Sequence, residues 1–164
     1  MAKPEGLTVV QKNLYVGCSL TQASEGFKAD VERTKAELGK RWHVMEFLGL
    51  VDGDEFDVYQ RDIVENVGGC DAFVAICDEP SIGLGWELRE AVGLGKPTLA
   101  VAHEDAKITR LLLGATGFND NLTFRRYEDM VHDVPAIVAE EFAVVLNGAA
   151  QAITPAYALP EGYD

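Results

Sequence analysis

Short β-prone runs alternate with amphipathic helical segments along most of the chain, and this alternation constrains the fold more than any other feature of the sequence. The run DAFVAIC (71–77) is short and apolar, as expected of a strand buried on both faces of a parallel sheet. The other predicted strands span 13–19, 42–50, 96–102 and 122–127. Predicted helices follow them over 24–40, 58–70, 86–95, near 105–113 and over 135–149.

Strands that alternate with helices indicate a parallel sheet covered on both faces. Five such strands predict an α/β protein of flavodoxin-like fold, with a doubly wound parallel sheet. The 164 residues suit one domain, which we predict to span 1–149. The tail 150–164 has prolines and no hydrophobic periodicity, so we expect it to lie outside that domain.

The composition restricts the partners of the chain. The formal net charge is −13, so the surface repels nucleic acid polymers and anionic membranes, although a local pocket can still bind a single nucleotide. The three cysteines include no CxxC pair, which argues against a disulfide framework or a zinc site. The sequence shows no signal-type apolar run and nothing near the ~20 apolar residues that span a bilayer. We therefore expect a cytoplasmic protein without a metal or other cofactor.

Three loops are candidates for a ligand site. Doubly wound sheets bind ligands beyond the carboxyl ends of their strands, which selects 17–24, 51–57 and 78–85. The third loop is the most informative, because Gly83 and Gly85 allow the backbone to approach a ligand closely. Glu87 is predicted in the first turn of the helix that follows, at the mouth of the cleft. It could do chemistry there, or it could only complement the helix dipole.

Three other polar side chains are candidates whose simpler explanations stay open. Tyr15 falls inside the first predicted strand and Ser19 at its end, where packing and capping would explain them. Asp62 falls in the middle of a predicted helix, a position that aspartate disfavours. It is expected at the surface unless a function turns it toward the cleft.

Taken in order along the chain, these residues form a pattern: Tyr15 and Ser19, then Asp62, then Ser81 and Glu87. The pattern resembles the nucleoside 2-deoxyribosyltransferase superfamily, and most of all its 2'-deoxynucleoside 5'-phosphate N-hydrolase branch. The resemblance covers roughly residues 13–143. Its most specific part is PSIGLGWELREAVGLGKP (80–97), and the shorter YVGCS and YQRDI occur in the matching order.

The resemblance implies a role for each of these residues. Glu87 matches the nucleophilic carboxylate, and Asp62 matches the acid that helps to protonate or orient the departing base. Tyr15 matches the hydroxyl beside the sugar and the nucleophile. Ser19 and Ser81 match hydroxyls that contact a 5'-phosphate.

Further substrate contacts are expected from Gly17 and Gly83. The resemblance also implies a homodimer or larger assembly, in which Asn119 or Asn121 could reach the site of a neighbouring subunit. Both asparagines are equally explained as turn residues.

Two positions bear on whether the substrate carries a phosphate. Transferases typically have Asp where this chain has Ser81, and a carboxylate there would repel phosphate, so Ser81 favours a monophosphate hydrolase. Thr21 stands where the hydrolase branch has a phosphate-pairing arginine. Either a cation comes from elsewhere, or the substrate is an unphosphorylated nucleoside.

Two carboxylates suffice for a retaining mechanism, in which one attacks C1' and the other assists the leaving group. An Asp62 carboxyl with a raised pKa would suit the second role. Water would then give hydrolysis and a second base would give transfer, so a base-exchanging deoxyribosyltransferase stays an alternative. A TIR-like NAD hydrolase and a non-catalytic nucleotide sensor are further alternatives.

The candidates for a base pocket are four aromatic residues, although packing of the strands and helices explains each of them more simply: Trp42, His43, Phe47 and Trp86.

Overall fold

The computed structural model describes residues 11–47 and 52–148. The strands are β1 Asn13–Cys18, β2 His43–Met45, β3 Ala72–Ile76, β4 Thr98–His103 and β5 Leu122–Tyr127. The helices are α1 Glu25–Leu38, α2 Glu55–Tyr59, α3 Ile82–Gly93, α4 Arg110–Ala115, α5 Met130–Glu141 and α6 Ala143–Leu146. Helix α2 continues directly into a π-helical segment, Gln60–Val67.

The five strands form one parallel sheet in the order β2-β1-β3-β4-β5, which confirms the predicted flavodoxin-like fold. The next strand after β1 lies on one side of it, whereas the next strand after β3 lies on the other side. The strand order therefore reverses between β1 and β3. Their carboxyl ends form the switch point of the sheet, where the following loops and helices converge.

Alternate side chains of β1 point to opposite faces of the sheet. Leu14 and Val16 belong to the core that α1 and α5 cover. Tyr15 belongs to the other core, which the π-helical segment and α3 cover. Gly17 lies two residues beyond Tyr15 and so shares its face. On this face of β1, the buried Tyr15 is followed by Gly17 near the carboxyl end of the strand, and both lie next to α3.

Helix α3 begins four residues before the predicted start at Trp86. Ser81 is its N-cap, and the Ser81 hydroxyl accepts a hydrogen bond from the backbone N–H of Leu84 at 3.2 Å. The prediction was wrong because Gly83 and Gly85 have a low helix propensity, and the serine cap outweighs them. The predicted loop 78–85 is thus a short loop, 78–81, followed by the first turn of α3.

Other boundaries differ for similar local reasons. Helix α2 begins inside the predicted loop 51–57, because Asp54 and Asp57 form a reciprocal capping box. Helix α5 begins at Met130 and runs through Pro135, since the Asp129 side chain caps the backbone N–H of His132. Strand β2 is shorter than predicted, and residues 48–50 of that prediction lie outside the described residues.

The segment 58–70 was predicted as an ordinary α-helix, but residues 60–67 are π-helical. Lys96 stabilises the end of this segment, because its ammonium group donates to the carbonyl oxygens of Gly68 and Cys70 at 2.8 and 2.9 Å. π-helical turns occur often at functional sites.

All the described strands belong to this one sheet. The predicted tail 150–164 lies outside the described residues, so the domain boundary at 149 stays a prediction. Within the described ranges, no helix is long and apolar enough to cross a membrane.

Candidate active site

Glu87 lies in the second turn of α3 rather than in the first, because the helix begins at Ile82. The influence of a helix dipole is strongest within the first turn, so dipole complementation explains Glu87 poorly. The side chain is half-buried and faces the carboxyl end of β1. The position of Glu87 therefore needs an explanation other than the helix dipole.

Gly17 leaves the space that the Glu87 carboxylate occupies. A Cβ atom at position 17 would lie 2.6 Å from Oε2 of Glu87 and 3.0 Å from side-chain carbons of Leu84 and Phe73. Gly17 pairs with Ala75 on β3, another small residue on the same face. The sequence predicted Gly17 as a substrate contact, and the structure gives it a steric role beneath the carboxylate.

Tyr15 fixes the position of the Glu87 carboxylate through a hydrogen bond. Its hydroxyl donates a hydrogen bond to Oε1 of Glu87 at 3.0 Å. The tyrosine ring is buried and stacks on Phe73, with ring centroids 5.4 Å apart and planes inclined by 17°. Because the ring is fixed in the core, the hydroxyl is a rigid donor.

Burial raises the pKa of Glu87 from 4.5 to about 7. The hydrogen bond from Tyr15 lowers this pKa, and the nearby charge of Asp62 raises it further. Burial also raises the pKa of Tyr15, and the charges of Glu87 and Asp62 add to the effect. Tyr15 therefore stays protonated and continues to donate, whereas Glu87 changes its charge near neutral pH.

Asp62 lies in the π-helical segment and is half-buried, although its position in the sequence suggested the surface. Its charge acts on both Tyr15 and Glu87. The structure thus brings together the three residues that the sequence singled out for catalysis.

The two predicted phosphate-binding serines lie at the carboxyl edge of the sheet. Ser19 is buried directly after β1. The Ser81 oxygen accepts the capping hydrogen bond of α3, and its O–H group can still donate to a ligand. Thr21 is exposed in the turn that follows Ser19.

Two predicted substrate contacts differ from expectation. A Cβ atom at Gly83 would meet only the Ser81 hydroxyl oxygen at 3.8 Å, so the fold itself does not require glycine there. Asn121 precedes β5 at the amino end of the sheet, away from the Tyr15–Glu87 pair of its own chain. Its amide donates to the carbonyl oxygens of Val92 and Lys96 at 3.2 and 2.9 Å, which is a structural role. The reach of Asn121 into a neighbouring subunit stays a prediction.

The four aromatic candidates for a base pocket lie in different environments. Trp42 is buried and packs edge-on against Phe142 in the core, which removes it from consideration. Phe47 is half-buried under the ammonium group of Lys35. Trp86 is exposed on α3 next to Glu87, and His43 is exposed on β2.

The sequence reasoning missed Asn66, which is buried in the π-helical segment. Its Nδ2 donates to the backbone carbonyl of Glu46 at 3.0 Å. A signal existed, because Asn66 falls between Ile63 and Val67 on the apolar side of the segment. A polar residue at a core position needs a partner.

One cavity lies beside α3, and another lies beside α1 and α5. The first, of about 400 Å³, lies between α3 and α4, and its mainly apolar wall includes Ser81 and Lys107. The other, of about 860 Å³, lies beside α1 and α5 over Asp78 and Tyr127. Glu87 lines neither. No group of three or more His, Cys, Asp or Glu side chains within the described ranges could hold a metal ion.

Comparisons with known proteins show which proteins this chain resembles. The sequence matches no protein-family model. It is 30% identical over 89 residues to a curated protein of Methanococcoides burtonii that is named as a 2'-deoxynucleoside 5'-phosphate N-hydrolase. The match covers 51% of this chain and 70% of that protein.

Two examples illustrate the solved structures that share the fold. The CMP N-glycosidase BcmB of Clostridium botulinum superposes with a TM-score of 0.60 at 18% identity, over 77% of this chain and 98% of that one. The lysine decarboxylase LdcF of Francisella novicida gives a TM-score of 0.52 at 12% identity, over 84% of this chain and 18% of that one. At these identities the likeness shows the fold alone.

The fold, the paired carboxylates at its switch point and the curated relative define the chain as an N-glycosyl hydrolase. It belongs to the 2'-deoxynucleoside 5'-phosphate N-hydrolase family, within the nucleoside 2-deoxyribosyltransferase superfamily. The family predicted from the sequence is thereby confirmed.

Gly17→Ala should disturb the site without unfolding the protein. The new methyl group would displace the Glu87 carboxylate, and a displacement of about 1 Å at a reacting group lowers the rate by about 100-fold. Gly114→Ala is the matched control, because no atom lies within 4 Å of its added Cβ. Steady-state kinetics should show the loss for Gly17→Ala alone, and full activity of this variant would contradict the steric role.

Glu87→Gln should make the protein more stable at alkaline pH. The folded-state pKa of Glu87 is raised from 4.5 to about 7, so the folded protein binds more protons and loses stability as the pH rises through this interval. Glutamine is neutral throughout, so its advantage should grow from pH 4.5 and level off above pH 7 at about 3 kcal/mol.

Urea unfolding at pH 5 and pH 8 measures this difference. Glu79→Gln is the control, because that side chain is exposed. An advantage of Glu87→Gln that does not change with pH would show that burial does not raise the Glu87 pKa.

Proposed function

We propose that this chain hydrolyses the bond between base and sugar in 2'-deoxynucleoside 5'-monophosphates, with Glu87 as the nucleophile. The observation that carries the proposal is the half-buried Glu87 carboxylate, which packs against Gly17, accepts a hydrogen bond from Tyr15 and lies near Asp62. A carboxylate with a perturbed pKa and a second carboxylate nearby is the pair that glycosidic cleavage requires. The family supplies the class of substrate.

The mechanism begins with attack of a Glu87 oxygen on C1' of the sugar. The C1'–N bond breaks, its electron pair goes to the base, and Asp62 shares a proton with the departing nitrogen. The product is a deoxyribosyl ester of Glu87. Water then attacks C1' and gives one proton back to Asp62, and the ester bond breaks to release 2-deoxyribose 5-phosphate and the free carboxylate.

Tyr15 contributes by positioning. Its O–H group holds the Glu87 carboxylate and favours the ionised form against the effect of burial. The ring, packed on Phe73, lies beneath the carboxylate. We propose that it crowds the 2' position of the sugar and so favours deoxyribose.

The 5'-phosphate is proposed to lie between Ser19, Ser81 and Lys107. Ser81 shares the cavity between α3 and α4 with Lys107, which has no carboxylate partner among the described residues. Lys107 is therefore our candidate for the cation that Thr21 does not supply. A charge-assisted hydrogen bond from an ammonium group suits a phosphate oxygen.

Other finer points stay predictions. Transfer to a second base would use the same ester, so base exchange is the alternative outcome of the same site. Family membership disfavours the TIR-like NAD hydrolase and the non-catalytic sensor.

The predicted homodimer is supported by exposed apolar side chains around the α3–α4 surface. Four of them are from 60% to 90% exposed, namely Ile82, Trp86, Leu111 and Phe118. The cytoplasmic location is also still a prediction.

Glu87→Ala should abolish release of the base while the protein stays folded. The change removes the attacking atom, so we expect at least a 1,000-fold loss, on the order of that seen when a catalytic nucleophile is removed. A chromatographic screen of deoxynucleosides and their 5'-monophosphates, with and without an acceptor base, measures both hydrolysis and transfer. Wild-type rates in the purified Glu87→Ala variant would overturn the assignment.

Lys107→Ala should discriminate between phosphorylated and unphosphorylated substrates. Loss of one charge-assisted contact is worth about tenfold, so KM for a monophosphate should rise by that factor and the value for the nucleoside should not change. Lys40→Ala, just beyond the C-terminal end of α1, is the control. Ser81→Ala should show the same bias, with an added loss of about 1 kcal/mol in stability from the missing cap.

An equal effect of Lys107→Ala on both substrates would contradict a phosphate contact, and no effect on either would place the phosphate elsewhere.

A further inference from the structure

The Asp78 carboxylate joins the carboxyl ends of three strands. Asp78 lies two residues beyond the end of β3, and its side chain is half-buried. Its Oδ1 accepts a hydrogen bond from the backbone N–H of His103, the last residue of β4, at 2.6 Å. Its Oδ2 accepts one from the hydroxyl of Tyr127, the last residue of β5, at 2.5 Å. One carboxylate therefore fixes the start of the loop 78–81 to the ends of β4 and β5.

Both donors to Asp78 are themselves held in place. Tyr127 is buried in the core that α1 and α5 cover. Burial raises the pKa of Tyr127, and the hydrogen bond to Asp78 raises it further, so the phenol keeps its proton and donates. The His103 ring packs edge-on against the Tyr127 ring, with centroids 5.8 Å apart. The two donors thus define where the carboxylate lies.

The turn that follows β4 is closed on itself and leads to Lys107. The backbone N–H of Ala106 donates to the carbonyl oxygen of His103 at 3.0 Å. The Nη1 atom of Arg126 donates to the carbonyl oxygens of the same two residues, at 2.8 Å for His103 and 2.7 Å for Ala106. Lys107 is the next residue along the chain. The bond that fixes His103 to Asp78 therefore also fixes the point where Lys107 leaves the turn.

The loop 78–81 leads to the other proposed phosphate contact on this side of the sheet. Ser81 lies three residues beyond Asp78 and is the N-cap of α3. Ser81 and Lys107 line the same cavity between α3 and α4. Asp78 lines the other cavity, beside α1 and α5, so it can hold both loops while its own negative charge lies outside the α3–α4 cavity.

We propose that Asp78 is a positioning residue for the 5'-phosphate, because its carboxylate ties the loop that ends at Ser81 to the turn that leads to Lys107. This inference rests on the proposed function, which places the phosphate against these two residues. Asp78 acts through the backbone of the two loops and sets the separation of Ser81 from Lys107.

The test compares a deoxynucleoside and its 5'-monophosphate as substrates of Asp78→Ala. Without the carboxylate the two loops can move apart, and the phosphate loses a charge-assisted contact. The KM for the monophosphate should therefore rise about tenfold, whereas kcat and the KM for the nucleoside should not change. An equal rise in both KM values would overturn the inference.

Two conservative variants test the hydrogen bonds one at a time. Asp78→Asn should recover most of the wild-type KM for the monophosphate, because its amide oxygen can still accept the N–H of His103. Tyr127→Phe removes one of the two bonds and keeps the core filled, so it replaces Asp78→Ala if that variant fails to fold. It should raise the KM for the monophosphate alone, by less than tenfold.

Asp71 offers the matched control at the opposite edge of the sheet. Its Oδ2 accepts the backbone N–H of Asn13 at 2.7 Å, so this carboxylate ties β3 to β1 at their amino ends. Asp71→Ala should lower the stability and leave both KM values unchanged. A selective rise in the KM for the monophosphate in Asp71→Ala would show that any loosening of the sheet has this effect, and it would contradict a specific role of Asp78.

A double-mutant cycle shows whether Asp78 acts through Lys107. If it does, Asp78→Ala should raise the KM for the monophosphate much less in the Lys107→Ala background than in the wild type. Fully additive effects would show that Asp78 acts independently of Lys107 and would overturn the inference.

Amide hydrogen exchange in the full chain without substrate gives a readout that does not depend on catalysis. Asp78→Ala should speed exchange in both the loop 78–81 and the turn 103–107, and Asp71→Ala should speed it in neither. Unchanged exchange in the two loops of Asp78→Ala would overturn the inference. If the wild type cleaves no deoxynucleotide, the proposed function fails, and the exchange rates still decide whether Asp78 holds the two loops together.

Discussion

The candidate active site depends on one contact, the Glu87 carboxylate packed against Gly17 and hydrogen-bonded to Tyr15. Burial of this group opposes its ionisation, so we expect the folded state to be less stable at alkaline pH than with a neutral side chain. Proteins retain such groups where function needs them. The same burial places the carboxylate that we propose as the nucleophile in an environment poor in water.

The topology explains why these particular residues meet. The strand order reverses between β1 and β3, so the helix that follows β3 passes over the carboxyl end of β1. Alternation along β1 puts Tyr15 and Gly17 on the face toward that helix, one as a donor and one as an open space. The π-helical segment covers the same face and adds Asp62. Each of these elements supplies one group to the site, and the site needs all of them.

Much of this was predictable from the sequence. The alternation of periodicities gives the sheet and its order, because buried strands and amphipathic helices have distinct patterns. The motif around Glu87 indicates the family. The start of α3 was harder to predict, because a favourable cap competes there with residues of low helix propensity. The Ser81 cap outweighs two glycines, so the helix begins earlier and Glu87 lies outside its first turn. The π-helix, the place of Asn66 and the steric role of Gly17 depend on contacts between distant segments, which no local pattern records.

The most direct test of the account is to identify the residue that carries the sugar during turnover. The enzyme is mixed with a 2'-deoxynucleoside 5'-monophosphate, quenched in acid and digested, and the peptides are mapped by mass spectrometry. The account predicts a deoxyribosyl phosphate adduct on the peptide that contains Glu87, and product released with retained configuration at C1'. An adduct on another residue, or release with inverted configuration, would contradict it.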